Sequence, residues 1–181
     1  MLKKNKIKKK VIGVLGGSFD PPHNGHLSIS NFCVKKLKLD ELIWVITKKN
    51  PFKKKSLFNL NKRIDKCKIL VKKYSKIKVK YLENKVRSSK TIAIIRYLKK
   101  INKDSKIMFI IGSDNLVNFN KWEKWKEITK LVDLVVLSRQ GFDNRAKKSI
   151  AARFLRNKNL LFVNNKKINI SSSNLRQNYL K

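Results

Sequence analysis

Gly16-Gly17-Ser18-Phe19-Asp20-Pro21-Pro22-His23-Asn24-Gly25-His26 is the stretch on which the reading of this chain turns. It follows a short apolar run, residues 11–15, that reads as a buried strand entering a glycine bend. Two glycines let a backbone turn sharply and present N–H groups with no Cβ in the way. The bend delivers His23 and His26 to the start of a segment, 26–37, whose Leu27, Ile29, Phe32, Cys33, Val34 and Leu37 recur at helical spacing. Free N–H groups and the helix dipole favour an anion there, by ~0.3–1 kcal/mol and up to ~2 kcal/mol when partly buried. Positions i and i+3 put both imidazoles on one side of the first turn. Such a pair suits the charge that gathers on phosphate oxygens during phosphoryl transfer.

Other chemistries fit this loop less well. It is neither G-x-G-x-x-G nor a P-loop, because no Gly-Lys-Ser/Thr follows. A zinc site on His23 and His26 would need further ligands, and the chain has only these two His and no suitable Cys pair, so no metal site is expected. Cys33 and Cys67 lie in helical patterns far from any C-x-x-C spacing and read as reduced core thiols.

Outward from the loop, strand and helix patterns alternate. Residues 42–47 read as a strand, 60–71 as an amphipathic helix, 77–82 as a strand near a sheet edge, and 91–101 as a helix. Then come a strand at 106–111, a helix at 122–131, a strand at 133–138, a helix at 146–157, and a short strand at 160–163. A last helix spans 171–180, with serines available as N-caps. This alternation predicts an α/β fold, a doubly wound and mostly parallel sheet with helices on both faces. One domain over 1–181 is expected, with 1–10 a basic N-terminal extension leading into the first strand. Ligands of such sheets bind beyond the carboxyl ends of the strands, where strand order reverses. Segments 16–26, 48–53, 112–114 and 171–176, with Arg139, are therefore expected around one crevice.

The 181 residues carry a formal charge of +35, which raises the question of a nucleic-acid partner. Only 8 of the 46 basic residues are Arg, the side chain preferred for bidentate recognition, and the lysines are spread along the chain rather than gathered in a stripe. A solvated cationic surface that attracts polyphosphates is the better reading, and nucleic acid is not the expected partner. No apolar run approaches the ~20 residues that cross a bilayer. The N-terminus has no signal-peptide pattern, so a cytoplasmic protein without a membrane partner is expected. A homo-oligomer is left open.

Several of these segments resemble one known family. Residues 16–26 match the G-G-[ST]-F-D-P-x-H-x-G-H loop of bacterial nicotinate-nucleotide adenylyltransferases, members of the HxGH nucleotidyltransferase superfamily, at every position. Ile170-Ser171-Ser172-Ser173-Asn174-Leu175-Arg176 resembles the family's I-S-S-[ST]-x-[IL]-R. Between them Ile111-Gly112-Ser113-Asp114 resembles I-G-x-D, Trp122 follows at the family's distance, and Ser138-Arg139-Gln140-Gly141 resembles the R-x-G turn. The matches occur in order over nearly the whole chain.

The resemblance implies a single Rossmann-like nucleotidyltransferase domain. It would transfer AMP from ATP to nicotinate mononucleotide, giving nicotinate adenine dinucleotide and pyrophosphate, with Mg²⁺ carried by ATP. Gly16, Gly17, Ser18 and Phe19 would line the ATP cleft, and His23 and His26 would hold its phosphates as the catalytic pair. Gly112 and Asp114 would contact the adenosine, and Ser171, Ser172 and Arg176 the phosphates. Lys48, Lys53, Thr91, Trp122 and Arg139 would hold the mononucleotide, Trp122 by stacking.

Two segments depart from the family pattern. Lys48-Lys49-Asn50-Pro51-Phe52-Lys53 stands where an Asn-x-Pro-Pro-His run is usual, with Lys53 at the His position. The family's T-x-x-T is reduced to Thr91 and Ile94. The nearest rival, a pantetheine-phosphate adenylyltransferase of the same superfamily, typically has Thr where His23 stands and lacks the context of Trp122 and Arg139.

Overall fold

The computed structural model describes residues 9–48, 56–156 and 158–165. Its strands are β1 (Val11–Gly17), β2 (Glu41–Ile46), β3 (Ile77–Lys80), β4 (Lys106–Gly112), β5 (Asp133–Leu137) and β6 (Leu160–Val163). Between them run α1 (Asn24–Lys36), α2 (Leu60–Val71), α3 (Glu83–Val86), α4 (Thr91–Ile101), α5 (Ser113–Val117), α6 (Trp125–Leu131), α7 (Asp143–Lys147) and α8 (Ile150–Phe154).

All five strand pairings are parallel and the order is β3-β2-β1-β4-β5-β6. Parallel neighbours need a crossover, and crossovers carry the helices onto both faces, so strand side chains are buried on both sides. The period of two is visible in the core. Ile12, Val14, Ile43, Val45, Phe109 and Ile111 meet α4, α5, α6 and α8 through Ile95, Leu98, Leu116, Ile128 and Ala151. Leu42, Trp44, Ile46, Ile110, Val135 and Leu137 meet α1 and α2 through Leu27, Cys33, Cys67 and Val71. Each Val, Leu, Ile or Phe among them stabilises the fold by about 1.5–3 kcal/mol on burial. Both cysteines are free and buried, and burial pushes each thiol up to about 12, with Arg63 opposing it at Cys67.

Three elements differ from expectation. The helix expected over 122–131 is shorter: a 3-10 turn at Phe119–Lys121 is followed by an extended Trp122 (φ −75°, ψ 142°) and a left-handed Lys124, and α6 begins at Trp125. The helix expected over 146–157 is two helices, because Ser149 leaves helical geometry (ψ 157°) and its side chain accepts from the Ala152 N–H. The strand expected over 77–82 stops at Lys80, and the chain then forms α3, which periodicity had not indicated. As expected, β3 lies at a sheet edge.

Strand order reverses between β2-β1 and β4-β5. The carboxyl ends of β1, β2, β4 and β5 therefore bound one crevice, and the chain segments that leave them build the site.

Candidate active site

The glycines end β1 without making the bend that the sequence suggested. Gly16 and Gly17 remain paired with Val45 and Ile46 of β2, and the Gly17 carbonyl accepts from the Thr47 N–H at 3.0 Å. A Cβ on Gly16 would stand in open space, so what this residue supplies is clearance above the strand end. The turn comes at Phe19, whose φ of 45° is left-handed, followed by a cis Asp20–Pro21 bond. A left-handed non-glycine residue costs about 1–2 kcal/mol. The Phe19 ring is 2% exposed, stacked on Trp44 at 4.7 Å and tilted against His26 at 4.8 Å. Burying a Phe side chain recovers about 1.5–3 kcal/mol, enough to hold the turn.

The loop's exit places the histidines. His23 is the N-cap of α1 (φ −151°, ψ 169°), and its carbonyl accepts from the His26 N–H at 2.9 Å. In return the His23 N–H donates to His26 Nδ1 at 3.3 Å. A backbone N–H can only donate, so Nδ1 is the acceptor and the neutral ring carries its proton on Nε2. Behind His26, the buried Trp44 Nε1–H donates to Ser30 Oγ at 2.7 Å, and Ser30 Oγ donates to the His26 carbonyl at 2.7 Å. The imidazole centroids are 3.9 Å apart. Burial, reinforced by the Arg139 cation, holds half-buried His23 down at about 4. It is neutral at pH 7, at a helix start with no acid in its first turn.

A second cluster lies across the crevice at the ends of β4 and β5. A Cβ on Gly112 would come within 2.2 Å of Asp114 Oδ1 and 3.1 Å of Arg139 Nε. Glycine thus leaves the room in which the Asp114–Arg139 ion pair (3.4 Å) closes over the strand end. Asp114 Oδ1 is buried and has no hydrogen-bond partner among the described residues. Asp143 fixes this cluster from below. Its Oδ1 accepts from Ser113 Oγ at 2.7 Å and from the Arg139 N–H at 2.9 Å, and its Oδ2 accepts from Ser138 Oγ. Through Arg139 the cluster reaches His23 electrostatically.

The third wall continues β2. The Lys48 N–H donates to Glu83 Oε1 at 3.0 Å, Glu83 being a buried residue of α3. Lys48, Tyr81, Glu83, Asn84, Arg87, Ser88 and Ser89 line a depression of about 370 Å³. Half-buried Thr91 opens α4. Half-buried Trp122 packs against Phe119 at 5.2 Å and Phe109 at 6.3 Å. Arg139 groups with Gly112, Asp114 and His23 and follows β5, whereas Lys48 follows β2. Lys53, Ser171, Ser172 and Arg176 lie outside the described residues.

Sequence reasoning missed two residues of this site. Arg63 is 1% exposed and spends its donors on backbone carbonyls, and Asp143 is the acceptor just described. Arg63 shares a helical stripe with Cys67 and Val71, a signal that could have exposed it as a buried arginine. Asp143 is an acid just past the Arg139–Gly141 turn in a chain with only 11 acids. Among the described residues no group of three or more His, Cys, Asp or Glu could hold a metal ion, and no helix is long and apolar enough to cross a membrane.

Known proteins resemble this chain in sequence and in fold. The cytidylyltransferase-like family model matches residues 14–178. The probable nicotinate-nucleotide adenylyltransferase of Pelagibacter ubique (strain HTCC1062) is 50% identical over 170 residues, 94% of each chain. That of Ruegeria sp. (strain TM1040) is 34% identical over 142 residues, 78% of this chain and 75% of its own. In fold, the nicotinic acid mononucleotide adenylyltransferase of Plasmodium falciparum, solved complexed with NaAD, superposes with a TM-score of 0.74 over 93% of this chain and 83% of its own, at 23% identity. With a family model over most of its length and a relative identical at half the aligned positions, this chain belongs to the nicotinate-nucleotide adenylyltransferases of the cytidylyltransferase-like family.

Proposed function

We propose that the chain joins ATP to nicotinate mononucleotide, releasing pyrophosphate and forming nicotinate adenine dinucleotide for NAD synthesis. The observation that carries this reading is the reciprocal pairing of His23 and His26 at the open start of α1, beside the strand-order reversal. Because Nδ1 of His26 accepts from backbone, the neutral ring is an N–H donor at Nε2, the polarity that a phosphate oxygen calls for. His23 adds a neutral, partly desolvated imidazole whose protonation, from solvent, the negative charge of a bound polyphosphate would favour.

The mononucleotide phosphate is already a nucleophile at neutral pH and attacks the α-phosphorus in line, so no covalent enzyme intermediate is required. The protein's part is positioning and charge stabilisation. Gly16, Gly17, Ser18 and Phe19 line the approach. Gly112 and Asp114 meet the adenosine, and Ser171, Ser172 and Arg176 the triphosphate. Lys48, Lys53, Thr91, Trp122 and Arg139 hold the acceptor, Arg139 from the side nearest His23. Magnesium enters on ATP, since it keeps its waters and needs few protein carboxylates. The reaction draws on soluble nucleotides, and its proposed setting is the cytoplasm.

Steady-state pyrophosphate release with ATP–Mg and either nicotinate or nicotinamide mononucleotide tests the assignment. Release only with a pyridine mononucleotide is expected, and none with either acceptor refutes it. His26→Ala should lower kcat by on the order of 10²–10³ while the protein stays folded, the scale for one oriented donor. A near-normal rate would remove His26 from the mechanism.

A further inference from the structure

Arg63 rises from α2 into the space beneath the crevice, and its guanidinium is engaged around its edge. Nη1 donates to the carbonyls of Ser18 at 2.6 Å and Thr47 at 2.8 Å, Nη2 to that of Lys48 at 2.8 Å, and Nε to that of Phe58 at 3.2 Å. These carbonyls belong to three segments: the loop that leads to the histidines, the end of β2, and the turn into α2. Asp20 supports the same junction from the histidine loop. It is fully buried, and its two oxygens accept from the Leu57 and Phe58 N–H groups at 2.9 Å each. Lys48 is held twice, its N–H by Glu83 and its carbonyl by Arg63.

A fully buried guanidinium could serve the core alone, but these partners are not core elements. Three of the four carbonyls, those of Ser18, Thr47 and Lys48, are backbone of the two segments that carry the ATP-side histidines and the acceptor-side lysine. Only a planar fork of fixed donors can reach all of them at once, and an ammonium on the same stem cannot. We propose that Arg63 is a positioning residue that fixes the histidine loop against the strand end bearing Lys48, and so sets the in-line distance between the α-phosphorus of ATP and the acceptor phosphate. The inference rests on the function proposed above. It concerns the relative placement of two substrates rather than the binding of either. A displacement of about 1 Å at the reacting atoms is enough to cost on the order of 10² in rate.

Arg63→Lys is the test, with Arg63→Met as a second variant that keeps part of the stem and removes the donors. Pyrophosphate release is measured against ATP and nicotinate mononucleotide in turn, and the folded fraction at the assay temperature is followed by circular dichroism. The expected result is a kcat lower by on the order of 10², beyond any loss of folded protein, with both KM values within about threefold of wild type. Three results overturn the proposal: wild-type kcat in folded Arg63→Lys, a rise in KM with kcat kept, or an activity loss that only tracks the loss of folded protein. An inactive wild-type enzyme would instead overturn the function on which it rests.

Discussion

Replacing Asp143 with alanine tests whether the crevice's second wall is held from below. In the folded chain its carboxylate accepts from Ser113 Oγ, Ser138 Oγ and the Arg139 N–H. A hydrogen bond to a charged group contributes about 1.5–3 kcal/mol, and a buried donor left without a partner costs about 1–3 kcal/mol. The Arg139 N–H keeps Ser113 Oγ as an alternative acceptor at 2.9 Å, and Ser138 can turn toward water, so the sum is well below three full bonds. About 3 kcal/mol remains, or about 6–12 °C in melting temperature for a domain of this size. Asp143→Asn keeps one carbonyl acceptor and should lose about half as much. Because Arg139 then loses its seat beside Asp114 and His23, kcat/KM should fall about tenfold, equivalent to 1.4 kcal/mol. Differential scanning calorimetry and pyrophosphate-release kinetics on both variants check the two halves separately. Melting within 2 °C of wild type together with unchanged kinetics would refute the account, on the scale set by about 2–4 °C per kcal/mol.

Gly112→Ala would drive a methyl into Asp114 Oδ1 and Arg139 Nε. Its KM for ATP should rise about tenfold while the backbone, at φ −80°, accepts alanine without strain. ATP titration would show otherwise if affinity were unchanged. His23 predicts an acid dependence of stability. Its folded value of about 4 lies below the ordinary 6.5, so the unfolded chain takes the proton first. The stability that depends on neutral His23 is complete above about pH 6.5 and is lost as pH falls through about 4. Urea unfolding at pH 7, 5.5 and 4 should show a smaller loss in His23→Asn, and identical slopes in the two proteins would contradict this. Cys33 and Cys67 should resist a thiol reagent at pH 7.5 until denaturant is added, because their thiols are buried and poorly ionised. Rapid labelling of the native protein would show the burial to be wrong.

What could be read from the sequence was what neighbouring residues encode. The histidine loop is contiguous, so its helix-start geometry was legible before any fold, and the alternation of strand and helix patterns gave the parallel class. Strand order was not legible, because which strands flank β1 is decided by pairings far apart in the chain. Apolar spacing carried two expected helices across real breaks. Lys124 and Ser149 interrupt the backbone while the buried pattern runs on from Trp122 to Ile128 and from Ala146 to Ala152. The glycine bend was misplaced because Phe19 supplies the left-handed turn, an expense met by a ring contact with Trp44 that no local pattern announces. Arg63 and Asp143 escaped for the same reason. Each is a polar side chain that ties its own turn to a remote segment, Asp143 to Ser113 and Arg63 to Ser18, Thr47 and Lys48, and in a lysine-rich sequence an arginine looks like one more surface cation.

The position of β1 bears on how the chain comes off the ribosome. Val11–Gly17 is made before β2 to β6, yet one of its flanks is sealed only by β4, whose Lys106 lies opposite Val11. Until residues near 112 have emerged, β1 to β3 can pair only among themselves, leaving an apolar strand rich in valine, leucine and isoleucine with a row of unpaired amides. The nascent chain therefore presents a sticky edge until β4 emerges. Chaperone demand should be greatest in that interval and should fall once β4 docks.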